Sequence, residues 1–171
     1  VLDLPMVLPP LVTGLSLLLL FGSQGWLSSL IPEISRWIFS PIGIVVAQSY
    51  IATSIMLCNA RGVFSNFDDG YRLAAYNLGL TPWQSLLKVE LPMCWKPLLC
   101  GAILAWARAI GEFGATLMLA GATRFKTETL PVAVYLNISS GDFEIAIGAA
   151  LWLLIISACL LFLLRVLNRE L

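Results

Sequence analysis

Two charged residues lie inside an otherwise apolar stretch of this 171-residue chain, and they are the clearest candidates for a chemical role. Arg108 and Glu112 are spaced i, i+4, so on a helix they share a face and can form an ion pair. A charge at the centre of a membrane helix costs about 2.5–3.5 kcal/mol, so both side chains should face protein or water. Two interpretations stay open: the pair lines a pathway for a polar solute, or it only fixes helix packing.

The residues directly after this pair, Phe113 and Gly114, extend the candidate pathway. A large ring beside a glycine can set a constriction or a flexible point in a membrane helix. Glycine is also common in such helices without any gating role, and that simpler interpretation is favoured. We therefore take Arg108, Glu112, Phe113 and Gly114 as candidate pathway residues.

The residue types that are missing exclude most kinds of catalysis. The chain has no histidine, which removes Ser-His-Asp and Cys-His catalysis and metal or haem sites built on imidazole. Its four cysteines form no CxxC pair, so we predict no metal site and no cofactor. The sequence has no GxxxxGK[ST] motif for the phosphates of ATP. Ten basic residues balance ten acidic ones, so the charge gives no indication of nucleic-acid binding.

The arrangement of apolar residues indicates a membrane protein. Apolar types make up 59% of the chain and charged types 12%, about half the usual charged share of roughly 25%. A membrane-spanning helix needs about 20 mostly apolar residues, and four segments qualify: 4–22, 38–60, 97–123 and 145–164. A fifth run, 129–141, is too short to cross, and predicts a re-entrant or interfacial piece. The sequence thus predicts an all-α polytopic membrane protein with four spans, surrounded by lipid.

The basic residues outside the spans predict how the chain is oriented. With four spans, the loop 61–96 and the C-terminal tail lie on the same side of the membrane. Basic residues concentrate in cytoplasmic loops. Six basic residues fall on this side: Arg61, Arg72, Lys88, Lys96, Arg165 and Arg169. Three fall on the other side: Arg36, Arg124 and Lys126. We therefore expect the loop and the tail to be cytoplasmic.

The predicted cytoplasmic loop contains an ordered set of helix signals. Asp68 and Asp69 can cap the start of one helix, predicted over residues 70–78, and Gly79 suits the left-handed residue that ends it. A second helix is predicted to start with a capping box, in which Thr81 is the N-cap, Pro82 the first helical residue and Gln84 the third. Leu91-Pro92 is expected to end that second helix. We predict two short helices, joined by a glycine turn, that lie across the membrane surface.

This loop also resembles a known motif. Leu73-Ala74-Ala75, Gly79 and Val89-Glu90-Leu91-Pro92 match, in type and spacing, the EAA loop of importer-type ABC permeases. Two positions depart from that pattern: Leu73 replaces a glutamate and Val89 replaces an isoleucine. The first change removes a charge that could pair with the ATPase. The resemblance implies that the following residues couple the chain to an ATPase: Leu73, Ala74, Ala75, Gly79, Thr81, Pro82, Leu91 and Pro92.

Three further stretches resemble the molybdate, tungstate and sulfate permeases of that superfamily. They are residues 4–10, residues 108–116, which contain Gly-Glu-Phe-Gly-Ala, and residues 128–131 followed by Tyr135. The resemblance implies one permease domain over residues 1–171, a dimer of such chains, two cytoplasmic ATPase subunits and an extracytoplasmic binding protein that delivers the anion. These permeases have another helix before the first matched stretch. Because Val1 stands almost at the start of a span, we expect an N-terminal truncation; the alternative is a short protein whose initiator Met was removed.

The resulting prediction is a transport subunit and not an enzyme. It would be the permease of an ATP-driven importer of molybdate or tungstate, with sulfate or thiosulfate as the alternative substrate. An intramembrane enzyme is disfavoured because no span carries paired carboxylates or a serine with a nearby base. A secondary transporter is also less favoured. Such proteins often show internal repeats and several intramembrane ionisable groups, whereas this sequence shows no evident repeat.

Overall fold

The computed structural model describes residues 8–23 and 25–169, with side chains up to residue 167. Residues 1–7, where the predicted first span begins, and the side chain of Arg169 lie outside this part. The regular structure of the described residues is entirely helical. Four segments are long and apolar enough to cross a membrane: Pro10–Leu30, Pro41–Ser65, Pro82–Ile110 and Phe143–Leu167. The prediction of an all-α chain with four spans is therefore confirmed.

The first two spans differ from the predicted ones at their ends. Helix α1, Pro10–Phe21, starts at its proline, because a proline at the first helical position loses no needed hydrogen bond. A short helix α2, Trp26–Leu30, and a 3-10 helix, Pro32–Trp37, follow. Helix α3, Pro41–Ser65, continues beyond the predicted end of the second span, so the start of the predicted 61–96 loop is helical.

The predicted loop leads directly into the third span. Helix α4, Asp69–Asn77, is followed by helix α5, Pro82–Ser85, a π-helical turn at Leu86–Glu90 and helix α6, Leu91–Ile110. The prediction that Leu91-Pro92 ends the second helix is wrong, because the chain stays helical from α5 into α6. A proline ring normally clashes with the carbonyl four residues earlier, and the wider π turn lies where that clash would occur.

The third span is not the single helix predicted over residues 97–123. Helix α6 ends at Ile110, and helix α7 covers Gly114–Ala120. Two glycines flank the break, and glycine is a poor helix former. A Cβ atom on Gly114 would lie only 3.0 Å from the backbone nitrogen of Leu11, so α7 packs closely against α1. The break therefore lets the chain settle against the first span.

The last part of the chain is a helical hairpin. Helix α8, Leu130–Ser140, has 11 residues, which agrees with the prediction that this run is too short to cross. Gly141 has a φ of 84° and ends α8, and helix α9, Phe143–Arg169, follows. Helix α9 extends past both ends of the predicted fourth span.

Two buried clusters show which helices pack together. The first joins α1, α3 and α7 through Leu17, Ala47, Ile51, Ala115 and Leu119. The second joins α6 and α9 through Cys100, Ile103, Leu160 and Leu164. The C-terminal half of α9 thus packs against the middle of α6. Much of the remaining surface of α9 is apolar and exposed, as expected for contact with lipid.

Candidate functional site

Both ends of helix α4 are capped by residues close to it in the sequence. The Asp68 carboxylate accepts a hydrogen bond of 2.8 Å from the backbone N–H of Gly70, which confirms the predicted cap. Gly79 has a φ of 82° and is left-handed, as predicted. The Leu80 N–H donates to the Ala75 carbonyl over 3.1 Å, a closure typical of a helix that ends in a left-handed residue. Among the described residues, and apart from its chain neighbours, no atom lies within 4 Å of a Cβ placed on Gly79, so only the backbone conformation requires glycine here.

Helix α5 begins with the predicted capping box. The Thr81 hydroxyl accepts from the Gln84 N–H at 3.3 Å, and the Gln84 side-chain oxygen accepts from the Thr81 N–H at 3.0 Å. Pro82 is the first residue of the helix. The local chemistry of the sequence is therefore sufficient to fix both helices and the turn between them.

The predicted coupling residues separate into inward and outward positions. Ala75 is buried, whereas Ala74 and Leu73 are exposed. Leu78 and Trp83, on either side of the glycine turn, are 82% and 66% exposed. Pro82, Leu91 and Pro92 are exposed as well. Consequently α4 is packed through Ala75, and three large apolar side chains are exposed on α4, beside the glycine turn and on α5: Leu73, Leu78 and Trp83.

A second ion pair, which sequence reasoning missed, links α4 to the π turn. An Nη atom of Arg72 lies 2.9 Å from a carboxylate oxygen of Glu90, and the other Nη lies 2.8 Å from Asp69. Glu90 is buried, and its other oxygen accepts a hydrogen bond of 3.3 Å from the Ser85 hydroxyl. The guanidinium also lies 5.6 Å from the centre of the Phe67 ring. Opposite charges among these residues were the only available signal, and nothing in their spacing singled them out.

The charge of Arg72 is stabilised by this arrangement. The hydrogen bond to Glu90 raises the pKa of the Arg72 guanidinium above its ordinary value, and burial opposes this only in part. The negative charges of Glu90 and Asp69 act in the same direction as the hydrogen bond. Arg72 therefore stays positively charged throughout the physiological pH range.

The predicted pair in the third span does form, but at the break between helices. An Nη atom of Arg108 lies 2.7 Å from a carboxylate oxygen of Glu112. The other Glu112 oxygen accepts a hydrogen bond of 2.9 Å from the Ala115 N–H, at the start of α7. Glu112 is fully buried, and Arg108 is partly exposed. The carboxylate thus connects the end of α6 to the first turn of α7.

The candidate pathway residues lie around one cleft. Arg108, Glu112, Phe113 and Gly114 line an open cleft of about 270 Å³ together with Gly111 and the start of α1. The Phe113 ring contacts Tyr135 of α8, with ring centres 5.3 Å apart. The break therefore brings together the four residues singled out from the sequence, and the start of α1 adds a wall that the sequence did not indicate.

Comparison with known proteins identifies the family. All of residues 1–171 match the model of a family described as the binding-protein-dependent transport system inner membrane component. The chain belongs to this family. It is a multi-pass permease of the inner membrane, the transmembrane component of an ABC transport system, and this family lacks an ATPase domain.

Individual relatives of this permease support the same assignment. A Haemophilus influenzae protein is 73% identical over 111 residues, which cover 65% of this chain and 93% of that protein. The molybdenum transport system permease protein of Mycobacterium bovis is 34% identical over 156 residues, 91% of this chain and 59% of that protein. The sulfate transport system permease protein of a Synechocystis strain is 34% identical over 174 residues, 99% of this chain and 62% of its own length. The chain thus spans about three fifths of the latter two permeases.

Proposed function

We propose that this permease is the membrane subunit of an ATP-driven oxyanion importer, with molybdate or tungstate as its substrate. It would act as a homodimer, with two cytoplasmic ATPase subunits and an extracytoplasmic binding protein that delivers the anion. Relatives named as molybdenum permeases support this substrate class. Sulfate is the second candidate, because a sulfate permease is equally similar to this chain.

The observation that carries the proposal is the shape of the coupling segment, residues 61–96. Two capped helices meet at the left-handed Gly79, and exposed apolar side chains stand around the turn. Leu73, Leu78 and Trp83 are too large and too exposed to be explained by the packing of the permease itself. We infer that this surface contacts the ATPase, and that the contact is apolar because leucine stands where the motif has a glutamate.

The orientation follows from the same segment. In the proposed arrangement, the coupling segment and the C-terminus of α9 face the cytoplasm. Both would lie on the same side of the membrane, because two of the four candidate spans separate them. The excess of basic residues in these segments supports the cytoplasmic assignment.

The cleft at the helix break is the proposed translocation pathway. Arg108 supplies one positive charge to it, and Glu112 balances much of that charge at 2.7 Å. An importer must release its anion after binding it, so a weak, largely neutralised site suits transport better than a cluster of arginines. Phe113 and Gly114 would form the moving part of this pathway at the break.

Reconstituted uptake tests this proposal directly. The permease is placed in vesicles with the ATPase and the binding protein of its transport system, and uptake of molybdate, tungstate and sulfate is measured with and without ATP. We expect molybdate or tungstate uptake that requires ATP, the ATPase and the binding protein. Uptake that continues without the ATPase indicates a secondary transporter, and uptake of sulfate alone indicates the second candidate.

A further inference from the structure

Glu90 is a buried carboxylate that the proposed pathway does not use. Its side chain is 6% exposed, and both of its oxygens have partners. One oxygen binds Arg72 of α4 at 2.9 Å, and the other accepts from Ser85, the last residue of α5, at 3.3 Å. A buried charge is tolerated only when it is paired in this way. Glu90 therefore joins both helices of the coupling segment to the base of the third span.

The π turn is what makes this contact possible. Ser85 and Glu90 are five residues apart, and residues at that separation do not face each other on an α-helix. The turn at Leu86–Glu90 has the wider i→i+5 pattern, and the Leu91 N–H donates to the Leu86 carbonyl. A π turn inside a longer helix often marks a functional position. Here it turns the carboxylate toward α4 immediately before α6 begins.

We propose that the Arg72–Glu90 pair is the link that transmits movement of α4 to the membrane span α6. Arg72 and Glu90 are thus positioning residues for ATP-driven transport, and this inference rests on the proposed function. A force applied to the exposed surface of α4 can be absorbed by bending at the Gly79 turn. The ion pair prevents this, because it connects α4 directly to Glu90, the residue that precedes α6, without passing through the Gly79 turn.

The first test uses the permease alone. Spin labels are attached at Asn77 of α4 and Met93 of α6, both exposed, after replacement of the four native cysteines. Glu90→Gln retains the shape of the side chain and removes its charge. The control is Asp69→Asn, which removes the other, exposed partner of Arg72 at 2.8 Å. Relative to the labelled wild type, we expect Glu90→Gln to widen the distribution of label distances at least twofold and Asp69→Asn to leave it unchanged. Equal widths in the wild type and both variants would overturn the proposal.

The second test measures uptake per ATP hydrolysed in the full transporter. In Glu90→Gln we expect ATPase co-purification and ATP hydrolysis to stay within twofold of wild type, while anion uptake falls about tenfold. Arg72→Lys, which keeps the charge, should retain at least three times the uptake per ATP of Arg72→Gln. A parallel loss of co-purification, hydrolysis and uptake would mean that the pair only supports folding. A wild-type transporter without ATP-driven uptake would refute the proposed function, whereas the label distances would still decide the link.

Discussion

The coupling segment and the break in the third span each contain one arginine–glutamate pair, but the two pairs differ in what they join. Arg72 and Glu90 are 18 residues apart and connect separate helices. Arg108 and Glu112 are four residues apart and connect consecutive turns of one interrupted span. In both pairs the glutamate is buried and the arginine is partly exposed. The same chemistry therefore serves two different structural purposes.

The difference lies in the second partner of each glutamate. Glu90 also binds Ser85, so it fixes the position of one helix relative to another. Glu112 also binds the Ala115 N–H, so it satisfies a backbone donor exposed by the helix break. Loss of the first pair should loosen the connection between elements, whereas loss of the second should destabilise the span itself. The following experiments separate these two consequences.

The largest effect is expected at the break. Arg108→Ala leaves the buried Glu112 carboxylate without its counter-charge, and breaking such a pair lowers the free energy of unfolding by about 3 kcal/mol. The Arg108→Ala/Glu112→Ala double variant should lose less than the sum of the two single variants, because it removes the uncompensated charge. Thermal unfolding and dimer yield in detergent, with uptake measured alongside, provide the readouts. Strictly additive losses would show that the two side chains act separately.

The contrast between the pairs also explains what the sequence could predict. The Arg108–Glu112 contact follows from i, i+4 spacing, and it survives the end of α6 because Glu112 lies within one turn of it. The sequence did not predict the break itself, since residues 97–123 form one long run with only two charges, and helix propensity is a weak signal beside packing. The break instead accompanies the close packing of Gly114 against α1, which is a tertiary contact that the sequence does not reveal.

In the coupling segment, too, the sequence predicted the local features but not the contact between distant residues. Its capping residues, its left-handed glycine and its second helix start were all predicted correctly, because each depends on atoms within a few residues. The Arg72–Glu90 contact depends on the π turn, which shifts Glu90 to a different face of the helix. A helical pattern with 3.6 residues per turn cannot reveal that shift. The prediction that the helix ends at Leu91-Pro92 relied on proline as a helix breaker, and it was wrong because the π turn precedes the proline.

A smaller effect is expected when charge is introduced into the coupling segment. Ala75 is 3% exposed, and Ala75→Asp buries an unpaired carboxylate between α4 and its neighbours, at about 2 kcal/mol. Ala74→Asp is the matched control, since it adds the same charge to the same helix at an exposed position. Asn77→Asp is a second control at an exposed position of α4 outside the predicted coupling residues. We expect Ala75→Asp to retain insertion and dimerisation but to lose most ATPase co-purification, and Asn77→Asp to keep most of it. Equal losses in Ala75→Asp and Asn77→Asp would mean that burial of α4 is not the cause.

Gly79 tests whether backbone conformation, rather than packing, controls coupling. Because its φ is 82° and the surrounding space is open, Gly79→Val should strain the turn without a clash, at a cost of about 1–3 kcal/mol. Gly79→Asn is the control, because asparagine tolerates the left-handed conformation. Expression and dimerisation should stay near normal in both variants, whereas ATPase binding and ATP-driven uptake should fall strongly only in Gly79→Val. Normal uptake in Gly79→Val would argue that this segment is not the coupling element.

The smallest effect is expected at the capping box, and it distinguishes helix stability from helix position. Thr81→Ala removes the hydroxyl that accepts from the Gln84 N–H, and loss of an N-cap typically lowers stability by about 1 kcal/mol. Thr81→Ser keeps the acceptor and should behave as wild type. Because α5 continues through the π turn into α6, and Glu90 still holds Arg72, fraying of its first turn should leave α4 in place. We therefore expect a threefold to tenfold weaker ATPase affinity in Thr81→Ala, measured by titration in detergent, with uptake per ATP unchanged. A fall in uptake per ATP would indicate that movement passes through the first turn of α5 rather than through the ion pair.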